Sequence, residues 1–177
     1  ILLPLYPQYS MATTESSVKE WKRRLAKRNG LAGLEWSLVR EYYAHPPYIN
    51  AFVERVEQGL ERFSPEMRDD VHIMFSAHGT PMKLVRQGDP YSQQIAETVA
   101  HVLKQGGFSQ DWSLCYQSKV GPQKWLTPST PDTIEELAAR GVKNMLVVPI
   151  AFASDHLETL FELGIEYRRL ASEKGVE

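Results

Sequence analysis

The 177-residue chain has a single cysteine, Cys115, and this excludes an internal disulfide and any all-cysteine metal cage built from this chain alone. It has no basic excess either. With 20 Lys and Arg against 22 Asp and Glu, the formal charge is −2, and nucleic acid is excluded as a main partner because phosphate neutralisation needs clustered cations. The densest basic run, Lys22-Arg23-Arg24 with Lys27 and Arg28, reads as the solvated face of a helix. No apolar run approaches the roughly 20 residues that span a bilayer, and no charged segment precedes an apolar one as in a signal peptide. The sequence opens without methionine on Ile1-Leu2-Leu3-Pro4-Leu5, which reads as the end of a buried strand, and stops at Lys174-Gly175-Val176-Glu177. Both ends are expected to be cuts from something longer.

Helical and strand patterns alternate along the chain. Val18, Trp21 and Leu25 mark one face of a helix ending near Asn29-Gly30, and a short strand is expected over 34–40. Over Tyr48–Phe63, one helical stripe carries Ile49, Phe52, Val53, Val56, Leu60 and Phe63 before Ser64-Pro65 breaks it. Val71–Phe75 is a continuous apolar run, as in a strand buried on both faces. Ile95, Val99, Val102 and Leu103 form the next helical face, which Gly106-Gly107 stops. A strand over 112–116 follows. Thr130-Pro131 supplies a cap and first-turn proline for a helix ending at Gly141. After a strand over 145–150, Ser154 is expected to cap a helix carrying Leu157, Leu160 and Phe161, with a kink or break at Gly164. The alternation predicts a doubly wound parallel sheet in a three-layer α/β/α arrangement, with ligands beyond the carboxyl ends of the strands.

Three polar clusters fall there. Ser76-Ala77-His78-Gly79-Thr80-Pro81 follows the third predicted strand, and His78 either exchanges protons near neutral pH or merely bonds a nearby carbonyl. Tyr116-Gln117-Ser118-Lys119-Val120-Gly121-Pro122, with Trp125 after it, is an anion-binding turn or an ordinary connection. Ser154-Asp155-His156-Leu157-Glu158 through Glu162 puts Asp155, Glu158 and Glu162 on one helical stripe. First-turn acids suit the helix dipole, yet three on one stripe repel unless a cation or protons are handled there. His156 beside them makes a divalent-metal or proton-relay role reasonable.

These segments, together with Leu5-Tyr6-Pro7-Gln8-Tyr9-Ser10, Gly88-Asp89-Pro90-Tyr91, Trp125-Leu126 and Val148-Pro149-Ile150-Ala151-Phe152, resemble the ferrochelatases in order and spacing over nearly the whole chain. The resemblance implies two doubly wound lobes facing across a porphyrin cleft. Residues 1–13 would be strand and loop arriving from a first lobe absent here, and 14–177 a second lobe truncated at its carboxyl end. It implies Fe²⁺ insertion into protoporphyrin IX or coproporphyrin III with release of two protons. His78 maps to the family's proton acceptor or iron contact, with Glu158 the second metal contact. Asp155, His156, Glu158 and Glu162 map to its acidic path, Tyr6, Trp125 and Phe152 to pocket-wall aromatics, and Ser118 to a polar cleft residue. No resident cofactor is implied, since iron and porphyrin are substrates. Relatives that hold a 2Fe–2S cluster have a cysteine where Met11 stands, which argues against a cluster here. The expected setting is the cytoplasm, with peripheral membrane attachment as an option and the oligomeric state open. Two rivals remain: a cobalt or nickel tetrapyrrole chelatase of the same fold, and a porphyrin-binding module without catalysis.

Overall fold

The computed structural model describes residues 1–27 and 33–177. Three parallel strands form its sheet in the order β2-β1-β3: β1 (Val71–His78), β2 (Trp112–Gln117) and β3 (Asn144–Pro149). The helices are α1 (Ser16–Ala26), α2 (Pro46–Leu60), α3 (Met82–Arg86), α4 (Tyr91–Gly106), α5 (Thr130–Ala139) and α6 (Arg168–Glu173). A π-helical turn, Met11–Glu15, leads into α1, and a π-helix, Glu158–Tyr167, leads into α6.

The central strand explains the layering. Alternate residues of a strand point to opposite faces. Val71, Ile73, Phe75 and Ala77 join one cluster with Ile49, Val56 and Leu60 of α2 and Ile95, Val99 and Val102 of α4. Met74 points the other way, into a cluster with Cys115, Ile134, Leu137 and Met145. Both faces are covered, which is why the run is apolar without alternation. Phe75 is fully buried. The expected stripe on α2 forms from Ile49 to Leu60, with Phe52 and Val53 packed at its margin; the helix ends at Leu60, short of the expected Phe63, which packs against the same cluster from the turn that follows. Gly107, at φ 62°, closes α4 in the left-handed conformation expected of a terminating glycine.

Four expectations change. The stretches 1–5 and 34–40 are not strands of the sheet; they meet only at one parallel bridge, Leu2 with Leu38. Pro4 has no amide hydrogen to extend that bridge. The cap of α5 is Ser129 rather than Thr130, its side chain accepting from the Asp132 amide. Ser154 does not cap the last helix; its hydroxyl meets His156 Nε2 at 3.3 Å. That helix is π-helical and runs on through Gly164 without interruption, and Leu157, Leu160 and Phe161 are exposed. The expected end of α1 near Asn29-Gly30, and Arg28 of the basic run, lie outside the described residues.

Candidate functional site

A cavity of about 330 Å³ opens at the carboxyl end of β1, where an open parallel sheet offers its ligand crevice. Six of the residues singled out from the sequence line it together: Tyr6, His78, Trp125, Phe152, His156 and Glu158. They come from four places in the chain, namely the loop after Leu2, the end of β1, the loop after β2, and the turn after β3 with the first residue of the π-helix.

His78 ends β1. Its Nδ1 lies 3.8 Å from Glu158 Oε1, with both side chains partly open to the cavity. The distance suits an ion pair when the imidazole carries a proton, and it is longer than a hydrogen bond. Phe152 stands edge-on to the His78 ring, centroids 6.4 Å apart, and is tilted against His156 at 5.6 Å. An imidazole, a carboxyl group and a second imidazole therefore share an aromatic-walled space.

The turn after His78 is fixed by close approach. A Cβ on Gly79 would sit 2.8 Å from the Gln117 carbonyl oxygen and 3.3 Å from the Trp125 ring, so only glycine fits without displacement. The Gly79 amide donates to that same carbonyl at 2.9 Å. Trp125 is held in turn by its indole N–H, which donates to the Val120 carbonyl at 3.0 Å.

A buried polar relay ties the π-helix to the sheet. Ser76 Oγ donates to Gln117 Oε1 at 2.8 Å and lies 3.0 Å from Thr130 Oγ1, while Gln117 Nε2 donates to the Glu158 carbonyl at 3.1 Å. All the side-chain atoms of this relay find partners, as buried polar groups must. A second relay ties the Tyr6 segment down. Asp89, buried, accepts from Ser10 Oγ and the Met11 amide, each at 2.8 Å, and from the Tyr91 amide at 3.0 Å. Gln8 donates to Thr98 at 3.2 Å, also in the interior.

Three of the candidate residues lie elsewhere. Asp155 precedes the helix, which starts at Leu157, so it does not continue the carboxylate stripe; it lines a neighbouring cleft beside Thr159. Glu162 is turned to Ser118, whose hydroxyl faces both carboxylate oxygens, at 3.1 and 2.8 Å. Ser118 has φ 64°, a left-handed backbone uncommon for a residue with a side chain. Tyr167 completes that group, its hydroxyl donating to Glu162 at 3.5 Å. Burial first, then the Glu162 and Glu166 carboxylates, push its phenol up to about 12, so it stays a donor. Among the described residues no three His, Cys, Asp or Glu side chains gather as a metal-holding group. The His78–Glu158 pair is thus two side chains, not a closed metal cage.

The sequence profile of the ferrochelatase family matches residues 1–177, the whole chain. The chain belongs to the ferrochelatase family. It is 47% identical over 173 residues to the mitochondrial ferrochelatase of Gallus gallus, covering 97% of this chain and 43% of that protein. It is 48% identical over 177 residues to the ferrochelatase of Gloeobacter violaceus, covering 99% of this chain and 54% of the relative. A third ferrochelatase, from Citrifermentans bemidjiense, is 50% identical over all of this chain and 54% of its own length. The chain thus spans about half the length of the curated relatives it matches. The ferrochelatase resemblance read from the motifs and the parallel α/β fold both hold.

Reading of the ferrochelatase motifs left Gln117, Asp89 and Tyr91 without roles, although all three lie within them. They were detectable in principle: each is a hydrogen-bonding residue at the edge of an apolar element, where a buried polar group must bond something. What it bonds depends on residues well apart in sequence, 41 positions for Gln117 to Ser76, 79 for Asp89 to Ser10 and 13 for Tyr91 to His78.

Proposed function

We propose that this chain supplies the proton-accepting wall of a ferrochelatase active site, which inserts Fe²⁺ into protoporphyrin IX or coproporphyrin III in haem biosynthesis. The observation that carries this reading is the His78–Glu158 pair, 3.8 Å apart in an aromatic cavity at the strand ends. It occurs in a chain about half identical, throughout its length, to proteins named ferrochelatase.

A planar porphyrin shields its nitrogen lone pairs, and a metal enters only when a pyrrole tilts out of plane. Tyr6, Trp125 and Phe152 form rigid walls that favour the tilted ring, with strain of about 1–5 kcal/mol as their share. Two pyrrole N–H protons leave as one Fe²⁺ enters, so the net charge of the ring and metal is balanced. His78 accepts a pyrrole proton, and Glu158 stabilises the imidazolium and passes the proton outward. His156 borders the same space, and we assign Glu162, bonded to Ser118, and Asp155, in the neighbouring cleft, to the outward passage of protons. Ser118 is the polar contact at the cleft rim, exchanging its bond to Glu162 for one to a porphyrin carboxylate.

Iron is a substrate here. Met11 stands where relatives that hold a 2Fe–2S cluster have a cysteine, and Cys115 is fully buried, 3.5 Å from the Phe75 carbonyl and 3.3 Å from Thr130 Oγ1, so neither residue offers a cluster ligand. We assign the cytoplasm by likeness to the bacterial members, the chicken relative being named mitochondrial. No described helix is long and apolar enough to cross a membrane.

The opposite wall of the cleft is proposed to come from the half of the family's length that this chain does not span. Residues 1–177 alone should therefore bind porphyrin weakly and insert little metal, and a separately expressed amino-terminal half should restore insertion. The test is anaerobic titration of porphyrin with Fe²⁺ or Zn²⁺, read by the collapse of the free-base absorption bands, for each half and for the mixture. Metal insertion by residues 1–177 unaided would overturn the two-walled reading. Insertion only of cobalt or nickel, into another tetrapyrrole, would overturn the iron assignment.

A further inference from the structure

Tyr91 opens α4, and its buried ring borders the cavity. Its hydroxyl donates to the backbone carbonyl of His78 at 2.9 Å. The place of that bond in the sheet gives it its importance. The β1–β3 register ends at Ser76 opposite Pro149, and the last bond on that side runs from the Ile150 amide to the Ser76 carbonyl at 3.0 Å. Carbonyls two residues apart in a strand point to the same neighbour. The His78 carbonyl therefore faces the side that β3 has already left, because the chain turns away at Ile150–Ala151. On the β2 side the ladder continues one step further, through the Gly79 amide to Gln117 at 2.9 Å. Without the tyrosine, the residue that carries the imidazole would be held from one side only.

Tyr91 is itself held at both ends. Its amide is bonded to Asp89, and Asp89 is anchored to Ser10 and Met11 on the Tyr6-bearing segment. Burial raises the pKa of the phenol far above its ordinary value, so it remains a donor through the neutral range.

We infer that Tyr91 is the positioning residue of His78: its hydroxyl replaces the missing ladder rung and fixes the imidazole against Glu158. The inference rests on the reading of His78 as the proton acceptor. Tyr91→Phe keeps the ring in the cavity wall and removes only the bond, and His78→Ala is the companion variant. Both would be compared with the unaltered sequence in the intact gene product by zinc-insertion kinetics and thermal melting. The reactivity of His78 toward diethyl pyrocarbonate would be followed by peptide mass spectrometry, with exposed His45 as internal reference.

Tyr91→Phe should lower kcat about five- to tenfold, the loss of one buried hydrogen bond, and leave KM for porphyrin within about twofold. His78 should react faster in this variant while His45 does not change. An unchanged kcat alongside an inactive His78→Ala would overturn the inference and leave the reading of His78 intact. Full turnover in His78→Ala would overturn that reading, and the His78 modification rate would still decide whether Tyr91 holds the residue. A lowered melting point with kcat and KM both altered, and no selective change at His78, would mark Tyr91 as merely structural and also overturn the inference.

Discussion

The end of β1 and the π-helix border one cavity and are built in opposite ways. His78 and Gly79 sit on a strand packed on both faces, and their backbone is bonded to Gln117 on one side and Tyr91 on the other. The π-helix, by contrast, buries none of its residues fully and exposes Leu160, Phe161 and Ile165 by half or more. Two side-chain contacts link it to the β2 end, Gln117 to the Glu158 carbonyl and Ser118 to Glu162. One side of the site is thus held rigidly by packing, and the other is tethered by a few polar bonds. A proton acceptor gains from the first arrangement, because its distance to the reacting atom must be held closely. A carboxylate that hands protons or cations along needs less confinement.

The comparison predicts unequal responses to mutation. Phe75→Ala, beneath the rigid side, should cost about 3–5 kcal/mol of stability, the range for removing a buried phenylalanine. Leu160→Ala on the π-helix should stay within about 0.5 kcal/mol, as for surface positions. Denaturant unfolding of the intact gene product measures both, and similar costs would erase the contrast. Gly79→Ala should destabilise by about 1–3 kcal/mol, because its Cβ meets backbone oxygen rather than a yielding side chain. For turnover, Glu158→Gln should be at least about tenfold slower than Glu162→Gln, since only Glu158 faces His78. Equal small effects would remove the carboxylate from the proton path.

The smallest expected effect concerns pH. His72, on the face of β1 turned away from Phe75, has its pKa lowered by burial, with Arg140 adding to that shift and Asp111 opposing it. A histidine kept neutral in the fold takes up a proton more readily when unfolded. Stability should therefore fall as pH drops below about 6.5 and be fully present above it. Replacing His72 with Gln should flatten that part of the stability curve. An unchanged acid limb would show that His72 is not its source.

Much of this was legible in the sequence. The α2 stripe, the apolar β1 run and the Gly107 stop of α4 each rest on local periodicity or on one residue's backbone preference, and these survive folding unchanged. Stretches 1–5 and 34–40 misled because apolar content suggests a strand without saying what it pairs with. The last helix misled differently. Leu157, Leu160 and Phe161 have α-helical spacing, but the backbone there has wider π turns and leaves them exposed, so the usual inference from spacing to burial fails. Six of the nine candidate site residues meet in one cavity because strand ends gather there whatever the loops do. Asp155, Ser118 and Glu162 fell outside it through details of loop geometry that no spacing rule carries.

The central claim, that the rigid strand end holds the proton acceptor, is tested most directly by metal insertion in His78→Ala. Turnover should fall at least about 10²-fold, the scale of a positioned acid or base, with porphyrin affinity changed by only a few-fold. Near-normal turnover in that variant would contradict it.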